Sequence, residues 1–364
     1  MTVRHTTMDD LPQVMQMYDY SRGIMRQTGN RVQWVGYPTE DDVLRDIGQR
    51  ASYLVCDGQV PIATFAVVDG EEPTYSIIDH GRWIDASPYS TVHRLAKTEG
   101  ATGVADLALG VAKERCAHLR IDTHHANTPM RHIVAKHGFV YCGVVYMDDG
   151  SPRDAYEWWR YDVVPTDIKR FVEDEVLPRY SAFDPAHRQE HARRVIARAM
   201  LMQPSPETYV AAAMHDLGLA EGREQHHLAS GAIVRQCSQL AKWFSREQIE
   251  TIAQAVEDHR ASAKQPPRSH LGCVIAEADR DVEPETIVRR TVEYGIGHYP
   301  QLDREGRWQR TLQHLDEKYS EHGYIKLWLV DSPNAQPLAE LRALISDRAR
   351  LRALFNQIIE QLWI

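Results

Sequence analysis

The stretch AAAMHDLGL, Ala211 to Leu219, places an adjacent His215 and Asp216 inside an otherwise apolar helical pattern. Two neighbouring ligand-type side chains on one helix can meet a single cation from two sides. Working outward, HRQEHARRVIARAML reads as an amphipathic helix with His191 facing inward. Downstream, HHLASGAIV supplies His226, preferred over His227 because of its spacing to Ser230. AVEDHRAS then brings His259 and AEADRD brings Asp279. Imidazole and carboxylate suit a transition metal or Mg and Mn, so six such residues in sequence point to a divalent metal centre. The plain alternative is coincidence among 18 histidines in 364 residues. Six ligand types, each in or beside an apolar helical pattern, weigh against it.

Composition fits an ordinary globular enzyme. With 43% hydrophobic and 26% charged residues, a chain of this length forms two domains that can each bury a core. A net charge of −9, spread along the sequence, argues against a nucleic-acid-binding surface. Cys56, Cys116, Cys142, Cys237 and Cys273 include no CxxC pair, as expected of free thiols in a reducing compartment. No apolar run reaches membrane-spanning length, and MTVRHTTMDD is too polar for a signal peptide, so a cytoplasmic location is expected.

Residues 1–162 mix strand-like and helix-like patterns, whereas from Thr166 onward the pattern is helical, with Pro165 marking the joint. ASYLVCDGQVPIATFAVV reads as a hairpin turning at Asp57-Gly58. STVHRLAK is a further strand, followed by a glycine-containing turn and a helix, then HLRIDTH as a strand, NTPMRHIVAKHGF as a helix and VYCGVVYM as the last strand. A strand leading through glycines into a helix N-terminus offers free backbone N–H groups to an anion. After a DSPNAQP linker, apolar residues from Leu338 to Leu362 recur every three or four positions, which predicts one terminal amphipathic helix. Docking on its own domain is the simpler expectation for that helix, with a homodimer as the alternative.

The ligand array resembles that of the HD superfamily of metal-dependent phosphohydrolases, in which a first His, a His-Asp doublet and a distant Asp hold the metal. HHLASGAIV resembles the extra-His segment of the dinuclear branch. The resemblance implies His191, His215, Asp216, His226, His259 and Asp279 as ligands to one or two ions of Mn, Mg, Zn, Ni, Co or Fe. It also implies a small phosphorylated substrate. Asp216, His226 and His259 are the candidate catalytic residues. Arg260 joins them because it directly follows His259 and guanidinium matches phosphate. Arg223, Lys264, Arg268 and Arg280 are further cations near the ligands, each otherwise read as a solvated surface charge.

The first half resembles the GNAT family of acyl-CoA-dependent N-acyltransferases. Gly100, Ala101, Thr102, Gly103, Val104 and Ala105 are similar to its pyrophosphate-gripping loop, and RIDTHHANTPMRHIVAKHGF to a later motif in which Asn127 would face the cofactor. The resemblance implies acetyl-CoA or another acyl-CoA. Gly100 replaces the usual Arg or Gln, and Val134 replaces the Tyr that often protonates the leaving thiolate. Tyr141 and Tyr146 read as packing aromatics, while Glu71, Glu72, His80 and His93 are candidate bases.

The chain is therefore read as multidomain: an N-terminal α/β GNAT-like mixed sheet with helices (1–162), a C-terminal all-α HD-type helical bundle (166–330) and a terminal amphipathic helix packed on it (331–364). The expected function is hydrolysis of a phosphomonoester or phosphodiester of nucleotide-like character, fused to an acyltransferase or acyl-CoA-binding domain. Two alternatives stand beside it. One is an HD-type diiron oxygenase, which resembles this ligand order but places a longer excursion where His226 here follows Asp216 by ten residues. The other is an acyl-CoA sensor that regulates the helical half without acyl transfer.

Overall fold

The structure, a computed structural model, describes residues 1–31, 33–183, 188–263 and 265–362. The chain divides into two compact units, Met1–Tyr161 and Asp162–Ile364.

The first unit is an eight-stranded mixed sheet with four helices. In chain order they are β1 (Thr2–His5), α1 (Leu11–Gln27), α2 (Glu40–Gly48), β2 (Ser52–Asp57), β3 (Val60–Asp69), β4 (Ile78–Asp79), β5 (Ser90–Lys97), α3 (Val104–Arg115), β6 (His118–Thr123), α4 (Thr128–Lys136), β7 (Val140–Tyr146) and β8 (Pro152–Trp159). The sheet order is β1-β2-β3-β5-β6-β8-β7-β4, and β5–β6 is its parallel pair, bridged at Ser90–Leu119 and Thr91–Arg120. The apolar faces of α3 and α4 meet the sheet in a core that includes Phe65, Leu109, Leu119, Val134 and Phe139.

The expectation that VYCGVVYM is the last strand is corrected by β8, which inserts between β6 and β7. Its charged residues hid it, because strands are read from alternating apolar positions. Here the charges are buried in pairs. Glu157 is fully buried, 2.8 Å from Arg120 and 3.2 Å from His118, while Asp154 lies 3.0 Å from Arg131.

The second unit is helical: α5 (Thr166–Phe171), α6 (Gln189–Met202), α7 (Pro206–Met214), α8 (His226–Gln236), α9 (Arg246–Asp258), α10 (His270–Asp279), α11 (Pro284–His298), α12 (Arg304–Tyr319), α13 (Ala335–Ser346) and α14 (Arg348–Leu362). α7 is central and buried on all sides. Ala211, Ala212 and Ala213 are wholly buried, and such small side chains let neighbouring helices approach closely. Serine caps start α7 and its neighbours α9 and α10: Ser205 Oγ accepts from Thr208 N, Ser245 from Gln248 N and Ser269 from Gly272 N.

The one terminal helix expected from the sequence is two, α13 and α14, broken at Asp347. Asp347 leaves the helical conformation with ψ 84° and accepts a bond from Arg350 N through its side chain, so the apolar period continues across a bend. Both helices close a core with α11 and α12 that contains Val288, Trp308, Leu315, Leu341 and Phe355. Among the described residues, no helix is long and apolar enough to cross a membrane, and all five cysteines are free.

Candidate metal centre

Five of the six candidate ligands stand at or just beyond helix ends, and the sixth, His191, lies in the first turn of α6. His215 caps the C-terminus of α7, and Asp216 follows it. His226 opens α8, His259 caps the C-terminus of α9, and Asp279 is the last residue of α10. The C-terminal ends of α7, α9 and α10 carry partial negative charge, which favours a cation between them.

Two groups result, His191–His215–Asp279 and Asp216–His226–His259, each with ligand atoms within 4.8 Å of one another. Asp216 joins them. Its Oδ2 is 3.3 Å from His215 Nε2 and 3.6 Å from His191 Nε2. Its Oδ1 is 3.4 Å from His259 Nε2 and 3.5 Å from His226 Nε2. Asp279 Oδ1 lies 3.2 Å from His191 and 3.6 Å from His215. His215, Asp216 and His259 are buried, whereas His191, His226 and Asp279 are partly exposed and leave a side open to solvent.

Backbone carbonyls set the imidazole tautomers. Nδ1 of His215, His226 and His259 lies 2.8, 2.8 and 2.5 Å from the carbonyl oxygens of Ala212, Arg223 and Val256. A carbonyl only accepts, so each Nδ1 carries the hydrogen and each Nε2 points its lone pair at the centre, which is the form that binds metal. The carboxylates demand positive charge. Burial alone would raise the pKa of Asp216, but the charge of His215 and the bonds from His191, His215 and His259 hold it well below the usual range. Asp279 is likewise held low against burial by His191 and His215. Burial opposes charge on His215, yet Asp216 and Asp279 keep its pKa well above the usual value, so without an ion its Nε2 holds a proton that a metal would displace. The donor set and its anionic character fit one or two divalent ions.

Tyr180 and Gly218, which the sequence did not single out, hold the doublet in place together with Ser230. Tyr180 donates to Ala213 O at 2.8 Å and accepts from Asp216 N at 3.3 Å. Gly218 N donates to Ser230 Oγ at 2.8 Å. A Cβ on Gly218 would fall 2.2 Å from His226 O, so glycine is what lets the turn after Asp216 lie against the start of α8. His227 stands outside both groups, and burial, with Arg260 nearby, lowers its pKa to about 4.

A cleft of about 580 Å³ opens beside His191 and Asp279 and is lined by Arg223 and Arg280 among other cations. Arg260 and Arg268 are not in its wall. Arg260 Nη1 donates to Glu224 O at 2.8 Å, and Arg268 is engaged by Asp258 at 2.9 Å and Glu257 at 2.7 Å. Lys264 lies outside the described residues.

In the first unit, Gly100 and Gly103 adopt φ of 75° and 70° in the loop that leads into α3, where Val104 and Ala105 begin the helix. Asn127 caps α4, its Oδ1 accepting from Met130 N at 3.3 Å. Val134 is wholly buried in the core, and Tyr141 packs edge-on to Tyr156 at 5.6 Å. Of the four candidate bases, Glu72 and His93 form a pair at 3.1 Å, whereas Glu71 and His80 are exposed.

Residues 188–282 match the family model of the HD domain. Among solved structures, the first unit is similar to a GNAT-family acetyltransferase from Streptococcus agalactiae 2603, with 31% identity over 44% of this chain and 95% of that chain and a TM-score of 0.41. It is also similar to a GNAT-family acetyltransferase from Listeria monocytogenes 4b F2365, with 11% identity over 44% and 94% and a TM-score of 0.33. No curated protein matches the chain significantly. The HD segment thus follows a first unit that is similar to GNAT-family acetyltransferases. The matched segment holds both His/Asp groups, a donor set suited to divalent metal.

Proposed function

We propose that the helical unit hydrolyses a phosphoester of a small molecule at a two-ion centre. The observation that carries this reading is the arrangement of Asp216, whose two oxygens each face a separate His pair. His191, His215, Asp279 and Asp216 would hold one ion, and Asp216, His226 and His259 the other. Bound there, divalent ions would polarise a phosphoryl oxygen and lower the pKa of a water. The protein's own part is to present neutral Nε2 atoms, keep Asp216 ionised and offer cations to the substrate. Arg260 serves as a positioning residue, bracing through Glu224 the turn that precedes His226. The five cationic side chains in the wall of the adjoining cleft favour an anionic substrate.

The test is phosphate release from a panel of phosphomonoesters and phosphodiesters by protein loaded with manganese. Wild type should release phosphate, and Asp216→Ala should lower the rate at least a hundredfold, roughly the loss expected on removing a metal-centred contribution. Equal rates would sink the assignment. Oxygen-dependent turnover with bound iron would instead select the oxygenase reading.

For the first unit, the GNAT-like fold implies acyl-CoA binding, and the loop Gly100–Ala105 with the first amides of α3 is the proposed pyrophosphate cradle. Buried Val134 offers no proton to a thiolate. Acetyl-CoA should therefore raise the melting temperature. Steady release of free CoA with an added amine separates an acyltransferase from a sensor.

A further inference from the structure

The wall of the cleft opposite the metal groups comes from α11 and α12, beyond the segment that matches the HD domain. Arg310, His314 and Lys318 recur every four residues on α12 and so form one stripe along the helix, facing Arg290 and Tyr294 of α11. Like charges at this spacing destabilise a helix, and here aromatic rings and a carbonyl offset them in place of carboxylates, with Lys318 Nζ 5.0 Å from the Tyr319 ring centre. Among the described residues, no carboxylate lies within ion-pair reach of Lys318. Burial lowers its pKa, with Asp279 of the metal group and Arg290 its charged neighbours. His314, one turn from each of the other two, is pushed down by burial and then by Lys318 and Arg310, with Glu317 opposing. Arg310 is held in place: it donates to Thr291 O at 3.1 Å and lies 5.1 and 4.9 Å from the ring centres of Tyr294 and Tyr299. Of the other cations in the wall, Arg280 is compensated by Glu277 at 3.5 Å and Arg290 by Asp281 at 2.9 Å, whereas no carboxylate pairs with Arg310 or Lys318 among the described residues. Half-buried positive charge of this kind lacks only an anion.

Resting on the phosphohydrolase reading, we propose that the substrate carries two anionic groups: the phosphate that reacts at the metal centre, and a second phosphate or carboxylate seated on the Arg310–His314–Lys318 stripe. The cleft has room for both, since its volume is that of a typical small-molecule site.

The experiment uses the full chain loaded with manganese and three matched compounds: phenyl phosphate, 4-carboxyphenyl phosphate and 1,4-phenylene bisphosphate. Wild type should prefer a two-anion compound. That preference, expressed as a ratio of kcat/KM values, should fall about tenfold in Lys318→Met and in Arg310→Gln. Calorimetric titration with 1,4-phenylenebisphosphonate and phenylphosphonate, with and without chelator, reads the same site without turnover. Lys318→Met should weaken the bisphosphonate about tenfold more than the monophosphonate. Which two-anion compound is preferred tells phosphate from carboxylate. Hydrolysis without any two-anion preference would overturn the subsite and leave the hydrolase standing. No hydrolysis, with bisphosphonate binding still selectively lost in the variants, would overturn the hydrolase and leave the subsite. Unchanged ratios and affinities in both variants would also overturn the subsite.

Discussion

His226 Nε2 stands 3.2 Å from His259 Nε2, although the Nδ1 of each carries its hydrogen toward a backbone carbonyl. His191 Nε2 and His215 Nε2 also lie 3.2 Å apart, with the proton that Asp216 and Asp279 hold on His215 between them. Two imidazole lone pairs aimed at one point repel unless a cation lies between them. Metal should therefore stabilise the fold strongly. At a hundredfold excess over Kd, an ion contributes about 2.7 kcal/mol, or roughly 5 to 10 °C in melting temperature. Thermal melts with manganese and with chelator check this, and identical melts would contradict it.

Gly218 offers a way to separate the two ions. An alanine there puts Cβ 2.2 Å from His226 O and 2.5 Å from Ser230 N, both backbone atoms that cannot swing aside. Gly218→Ala should push α8 and His226 away from Asp216 at a cost of about 1–3 kcal/mol. Elemental analysis should then find the ion on His191, His215 and Asp279 kept and the other lost. Full occupancy of both would show that His226 is dispensable.

Glu277 is fully buried on α10. It accepts from Ser332 Oγ at 2.5 Å, from Asn334 Nδ2 at 3.2 Å and from Trp328 N, and lies 3.5 Å from Arg280. It ties the chain before α13 to the helix that ends in Asp279. Glu277→Ala leaves a buried arginine uncompensated and should cost about 3–5 kcal/mol in urea unfolding, with Glu277→Gln losing less.

The Glu72–His93 pair makes the first unit sensitive to acid. Burial would raise the Glu72 pKa, but the bond and charge of His93 and the bonds from Thr74 lower it to about 2, from an ordinary 4.5. A carboxylate depressed by folding stabilises the fold above its unfolded pKa, and that contribution fades as pH falls from about 4.5 toward about 2. Melts across that window should decline less steeply in Glu72→Gln than in wild type. Parallel curves would mean that the pair is not linked to folding.

The fold was legible where local chemistry decides it and obscure where tertiary pairing does. The hairpin through Asp57-Gly58, the strand-to-helix passage before α3 and the ligands from His191 to Asp279 all sit on apolar periods that a sequence displays. β8 did not show itself, because Arg153, Asp154 and Glu157 read as surface charge until Asp122, Arg131 and Arg120 are seen opposite them. The cations beside the centre divided in the same way. Closeness in sequence to a ligand favoured Arg260, yet the cleft is lined by Lys318 and Arg310, remote in sequence and brought near by the packing of α11 and α12. Their four-residue spacing with His314 was the one local hint. Tyr180 left none, since its hydroxyl meets Ala213 and Asp216 only after folding.

The most direct test is metal content per chain, measured by elemental mass spectrometry on anaerobically purified wild type and Asp216→Ala. Two ions in wild type and loss of both in the variant are expected if one carboxylate joins the two groups. An unchanged content in Asp216→Ala, or a wild type that takes up no metal after reloading, would contradict a shared metal centre.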